Sequence, residues 1–180
     1  FEEVHLEIGF GLGENLIFHS KINYRKGYIG CDPYMNGNVK LYKSSRVDQI
    51  NNILFTNLEF KRLIRYIKPF RFSKIFILFP DPWPKKKHIK RRLINDTFVE
   101  DLKKICTLLS KIIILTDSYE YSQQIKNSFN KSKFFGNKLH TSVEDLISNQ
   151  EITNTKYMNK AKKEKSKIFC MLYKCIKIVQ

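Results

Sequence analysis

The sequence predicts an α/β fold: one sheet, mostly parallel, with crossover helices on its faces. Three observations carry this. Apolar runs bounded by turn residues recur at Val4–Phe10, Tyr28–Cys31, Ile53–Phe55, Ile75–Phe79 and Ile112–Leu115. The segments between them have helical spacing. The first run closes on alternating glycines and the fourth on a proline-rich loop, so two unusual turns sit at strand carboxyl ends, where open α/β sheets hold ligands. With 180 residues, 42% of them hydrophobic, the chain suffices for one packed core. No repeat or composition break divides residues 1–180 into more than a single domain.

Taken in order, Glu7-Ile8-Gly9-Phe10-Gly11-Leu12-Gly13 ends the first strand. Glycine permits a sharp turn and close backbone approach to a ligand, and the following helix offers free N–H groups. The spacing G-x-G-x-G differs from the dinucleotide pattern G-x-G-x-x-G, and Glu7 just before it suits a cationic, amino-acid-bearing ligand. Asp32 follows the second strand, where an acid accepts ribose hydroxyls; Glu59 follows the third, where a carboxylate meets an adenine amino group. Each alone reads as a solvated loop acid. At successive strand ends the three outline an adenosine ligand.

The fourth strand runs into FPDPWPKKKHIKRRL, Phe79 to Leu93. Three prolines there forbid continued strand or immediate helix, which puts Asp81 and Trp83 on a stiff loop. For Trp83 a core anchor beneath the loop is favoured over a base-stacking platform. Seven Lys, Arg and His residues between Lys85 and Arg92 make this edge a surface for polyanions. Apolar residues at every third or fourth position then predict a helix over Lys90–Leu109, with Lys90, Arg91 and Arg92 in its first turn. After the fifth strand come a helix around Glu120–Phe129, a short segment near Phe134–His140 and a polar stretch to Glu151. KAKKEKSK reads as a solvated turn or frayed helix, and Ile168–Val179 as a terminal strand.

The 33 Lys and Arg against 17 Asp and Glu give +16, which points to nucleic acid rather than a membrane, since no basic amphipathic helix with an aromatic face stands out. A compositional bias would raise the charge but would not cluster it. Cys31, Cys106, Cys170 and Cys175 fit neither zinc nor redox-pair spacing and read as reduced thiols. His5, His19, His88 and His140 are scattered, so no metal is expected. No apolar stretch approaches a membrane span and no signal segment precedes the first strand, so the expected location is cytoplasmic. The sequence begins at Phe1 rather than Met, leaving room for a preceding arm.

LEIGFGLG, FPDPWPKKKHIKRRL and Leu115-Thr116-Asp117 with Glu120-Tyr121 together resemble the bacterial tRNA (guanine-N7)-methyltransferase family over nearly the whole chain. The resemblance implies a Rossmann-like class I methyltransferase fold, a seven-stranded sheet with its last strand antiparallel. It also implies bound S-adenosylmethionine and methylation of the variable-loop guanine at position 46 of tRNA. Matched position by position, Glu7, Gly9, Gly11, Gly13, Asp32, Glu59 and Asp81 are the cofactor-binding residues, and Asp81 is also the catalytic one. Lys85, Asp117 and Thr155 match substrate-binding positions. Lys87, His88, Lys90, Arg91 and Arg92 match the tRNA-contacting stretch. One departure stands out: in the family's late T-x-x-E element this chain has Thr155-Lys156-Tyr157-Met158, unless Glu151 or Glu164 substitutes in an offset register. Met158 cannot accept hydrogen bonds from guanine N1–H and its amino group as Glu would.

Guanine N7 carries a lone pair in its neutral form, so its methylation needs alignment and electrostatics rather than a strong base. Two rivals follow from the residues. A non-catalytic RNA-binding module would keep the basic loop and lose the guanosine site. A nicotinamide-dependent oxidoreductase would keep the glycine turn but leaves the basic loop without a purpose. Phosphate-loop and nucleophile-elbow patterns do not occur.

Overall fold

A computed structural model describes residues 1–67, 70–137 and 142–177. Seven strands, β1 (Val4–Ile8), β2 (Gly27–Cys31), β3 (Ile53–Thr56), β4 (Phe72–Leu78), β5 (Cys106–Thr116), β6 (Phe135–Asn137) and β7 (Phe169–Cys175), form one sheet in the order β3-β2-β1-β4-β5-β7-β6. β1 to β5 pair in parallel, and β7 runs antiparallel to both of its neighbours. This is the expected α/β architecture, including its reversed last strand. His140, Ile178 and Val179, which the sequence reading placed in elements, lie outside the described residues.

Period-2 alternation assigns the two faces. Leu6 and Ile8 of β1, Ile75 and Ile77 of β4, and Ile112 and Ile114 of β5 share one core with α3 (Phe60–Ile67), α4 (Asp96–Lys103) and α5 (Tyr119–Lys131). The alternate residues Phe76, Leu78, Ile113 and Leu115 face α6 (Val143–Ser148) and α7 (Lys156–Lys163). On this second side, toward β2, Leu16 of α1 (Glu14–Ile22) and Leu41 of α2 (Met35–Val47) pack with Tyr28 and Phe10.

Three segments differ from the sequence reading. The helix expected over Lys90–Leu109 is only α4: Lys86–Arg91 form a 3₁₀ turn, Asn95 caps α4 by accepting the Phe98 N–H, and Cys106 already belongs to β5. The apolar spacing ran on because Ile94 and Ile105 bury themselves from the connections on either side of the helix. Arg91 and Arg92 therefore do not crowd a helix N-terminus. The polar stretch before Glu151 contains α6, started by a capping box between Ser142 and Asp145. Of KAKKEKSK, Lys160–Lys163 form the last turn of a helix capped by Thr155 and anchored by buried Met158 and Ala161, and only Glu164–Lys167 lie beyond it as the expected turn.

Candidate active site

Strand order reverses between β1 and β4, and a cavity of about 520 Å³ opens there at the carboxyl edge. The turn after β1 supplies its floor. Gly9, Gly11 and Gly13 have φ of 79°, 57° and 79°, a left-handed region costly for other residues. Gly37 on α2 packs so closely that a Cβ there would lie 1.9 Å from the Gly11 carbonyl oxygen, so a fourth glycine, unmarked by any motif, lets α2 approach the loop.

The structure brings Glu7, Gly9, Gly11, Asp32, Glu59, Asp81, Arg91 and Thr155 to this one cavity. Glu7 is 2% exposed and accepts a hydrogen bond from Asn15 Nδ2 at 3.1 Å. Burial, with the nearby charges of Asp32 and Glu14, pushes its carboxyl up to about 8 against the Asn15 bond. The Asp32 carboxylate accepts the Gly11 N–H at 2.7 Å and the Tyr34 N–H at 2.8 Å, which fixes its plane and leaves lone pairs for a further donor. Glu59 stands exposed just before α3.

Asp81 lies exposed on a loop bracketed by two aromatic residues with positive φ, Phe79 (55°) and Trp83 (40°). Such conformations persist only where the surroundings enforce them. Phe79 N–H donates to Leu115 O at 2.8 Å. On the far side, Arg92 Nε donates to Pro82 O at 2.7 Å and its Nη1 to Gln124 Oε1 at 2.7 Å, with the guanidinium carbon 5.0 Å from the Tyr121 ring centre.

Two readings of this loop are thereby corrected. Arg92, expected on the tRNA-contacting surface, is 5% exposed and braces the loop from beneath. Trp83, expected as the core anchor, is only half-buried and lines the cavity, with the Arg91 guanidinium 5.0 Å from its ring centre and His88 edge-on at 5.6 Å. Arg92 takes the anchoring place beneath the loop because its fork matches the carbonyl and amide acceptors offered by Pro82 and Gln124.

Gly13, Lys85, Lys87, His88, Lys90 and Asp117 lie outside the cavity lining. Gly13 turns the chain into α1, where a Cβ would meet Leu41 at 2.7 Å. Lys85, Lys87 and Lys90 are exposed along the 3₁₀ turn, and Asp117 is exposed at the end of β5. Met158 is fully buried against the second face, while Thr155 Oγ accepts its N–H at 3.3 Å. Neither alternative glutamate replaces it: Glu151 is bound by Lys74 and Lys111, and Glu164 sits 4.0 Å from Lys160 outside the lining. Tyr34 and Tyr157 also line the cavity. Tyr157 arrives from α7, across the fold, and only the T-x-x-E resemblance hinted at it.

Among the described residues there is no cluster of His, Cys, Asp and Glu able to hold a metal, and no helix long and apolar enough to cross a membrane. The cavity's chemistry fits S-adenosylmethionine: a buried carboxyl beside a glycine turn for an ammonium group, a fixed carboxylate for a ribose, and a volume within the range of cofactor sites.

The family model "Putative methyltransferase" matches residues 2–171. A tRNA (guanine-N(7)-)-methyltransferase of Wolbachia pipientis is 35% identical over 167 residues, covering 93% of this chain and 72% of that protein. Those of Neorickettsia sennetsu and Rhodopseudomonas palustris are 35% and 30% identical, covering 70% and 90% of this chain but only 58% and 64% of their own lengths. Among solved structures, an rRNA methylase of Streptococcus thermophilus superposes with a TM-score of 0.66 at 10% identity, covering 97% of this chain and 87% of that one. A Streptococcus mutans protein described as "a putative methyltransferase", in complex with SAH, gives 0.62 at 10% identity, covering 96% and 88%. The fold is thus the Rossmann-like class I methyltransferase fold, and by sequence the chain belongs to the tRNA (guanine-N7)-methyltransferase family.

Proposed function

We propose that this protein methylates N7 of a tRNA guanine, the variable-loop guanine at position 46, using S-adenosylmethionine. The observation that carries the reading is the convergence of Glu7, Asp32, Glu59 and Asp81 on one cavity at the strand-order reversal, in a chain of this family. When bound, S-adenosylmethionine supplies an electrophilic sulfonium methyl group. Glu7 and the glycine turn hold its amino-acid end, Asp32 its ribose and Glu59 its adenine. Asp81, held between two strained backbone positions, orients the acceptor base and favours the positive charge that develops on it. Thr155 Oγ accepts a backbone N–H and still has a hydrogen to donate, which suits guanine O6. Lys85 and Asp117 position the nucleoside from the flanking strand ends. Lys87, His88, Lys90 and Arg91 hold the tRNA backbone.

The decisive experiment is transfer of labelled methyl from S-adenosylmethionine to bulk tRNA, followed by identification of the nucleoside. N7-methylguanosine is expected. Label in any other nucleoside, or no transfer at all, overturns the proposal.

A further inference from the structure

Resting on that reading, we infer that tRNA is gripped at a second place, a lysine-lined cleft at the far end of α7 that receives its phosphate backbone. The cleft, of about 400 Å³, lies between α5, the start of α6 and the approach to β7. Lys126, Lys162 and Lys167 line it, and none of them has a carboxylate partner among the described ion pairs. Among the described residues Lys162 reaches Asn154 Oδ1 at 3.4 Å, and Lys167 lies 5.5 Å from the Phe169 ring centre. Glu144 is the one acid among the described lining residues. Between Lys156 and Lys167 the chain has six lysines against one glutamate, so this end of the molecule is more basic than its cleft alone.

Position makes this charge relevant. Phe169, in the cleft wall, pairs with Thr116 across β5 and β7, and Thr116 immediately precedes Asp117. Tyr119 packs on Phe169 with ring centres 5.7 Å apart. The cleft therefore opens on the same carboxyl edge as the proposed nucleoside site. The other end of α7 enters the cofactor cavity through Lys156 and Tyr157. Its eight residues span about 12 Å, a few nucleotides of backbone. A strand whose target base enters the cavity can then run along α7 to phosphates met by Lys162, Lys167 and the half-buried Lys126. Phosphate backbone is the occupant that fits, because the three lysines have no carboxylate partner among the described ion pairs and an anion on them needs no acid displaced.

The test compares wild type with Lys126→Gln/Lys162→Gln/Lys167→Gln, measuring tRNA binding against salt, methyl transfer, and S-adenosylmethionine affinity. A control triple, Lys21→Gln/Lys40→Gln/Lys43→Gln, removes the same charge from α1 and α2. The cleft variant should flatten the slope of log affinity against log salt by about 2 and raise the tRNA KM roughly tenfold or more. Its kcat and cofactor affinity should hold, and the control should retain the wild-type slope. Equal slopes in wild type and cleft variant, or equal flattening in both triples, would overturn the inference. Lys162→Glu, at an exposed helix position, repeats the test with a single change should the triple fold poorly; an unaltered slope there counts against the cleft as well. A wild type that transfers no methyl to tRNA at all is the separate failure of the proposed function.

Discussion

The Nε–H of Arg92 donates to the Pro82 carbonyl at 2.7 Å, and through this bond a buried arginine sets the loop between Asp81 and Trp83. The same guanidinium bonds Gln124 on α5, the helix that begins two residues after Asp117, so one side chain ties the loop after β4 to the helix that follows β5. Lysine at this position keeps the charge but cannot make both bonds in the plane of a fork. Arg92→Lys should lower kcat by about ten- to a hundredfold while the salt slope of tRNA binding stays as in wild type. Lys87→Gln/Arg91→Gln should do the reverse, lowering the slope by about 1.5. A flattened slope in Arg92→Lys would return Arg92 to the phosphate-binding surface.

Asp81→Ala should lose most methyl transfer, about a hundredfold or more, and keep tRNA affinity within a few fold. Removing an acid from a cationic surface cannot weaken attraction to phosphate. Single-turnover rates and binding measured on the same preparation check this, and normal turnover would reduce Asp81 to a loop residue.

Asp32→Ala should weaken S-adenosylmethionine binding at least tenfold, about 1.4 kcal/mol. The change removes the proposed ribose acceptor and also frees the Gly11 and Tyr34 N–H groups that now share its carboxylate. Isothermal titration calorimetry measures it directly; unchanged affinity would place the ribose elsewhere.

Glu7 gives a pH signature. Burial raises its carboxyl to about 8, so it is largely protonated at neutral pH in the free protein. An ammonium group beside it favours the carboxylate, so cofactor binding near pH 7 should release a proton and tighten as pH rises through roughly 6 to 8. In the free protein the folded pKa stands above the unfolded value of 4.5. The unfolded chain then loses this proton first, and the Glu7 contribution to stability, full below 4.5, falls with rising pH and levels off above 8. Glu7→Gln should abolish both trends. Calorimetry in buffers of differing ionisation enthalpy reads the proton, and a buffer-independent heat for wild type would contradict the assignment.

Glu151 holds Lys74 and Lys111 across β4 and β5, and its backbone carbonyl lies 3.1 Å from His19 Nε2. Burial raises its carboxyl, but hydrogen bonds from Lys111 and Lys74 outweigh that and bring it to about 2. Its contribution to stability is therefore full above 4.5 and is lost as pH falls toward 2. Glu151→Gln should cost about 2 kcal/mol at neutral pH, between the values for exposed and buried pairs, and should leave cofactor affinity unchanged. Urea unfolding as a function of pH tests both the size and the window.

Strand-end acids and the glycine turn were legible because their signals are local. Glu7, Asp32, Glu59 and Asp81 each stand next to the strand that aims them, and parallel strands bring such ends to one edge. The periodicity of Leu93 to Leu109 misled because burial alone cannot distinguish a helix from loops packed on either side of a shorter one; Asn95 as a cap was the neglected sign. The basic run showed charge but not direction. Whether Arg92 faces phosphate or Pro82 depends on α5 bringing Gln124 and Tyr121 beneath the loop, from some thirty residues further on. Trp83, Tyr157 and Gly37 belong to the same class. The chain alone shows at which edge Glu7, Asp32, Glu59 and Asp81 gather, because strand polarity orders them along the sequence. Which arginine lines the cavity and which holds the loop is fixed by the fold, because packing between elements remote in sequence sets each side chain's direction.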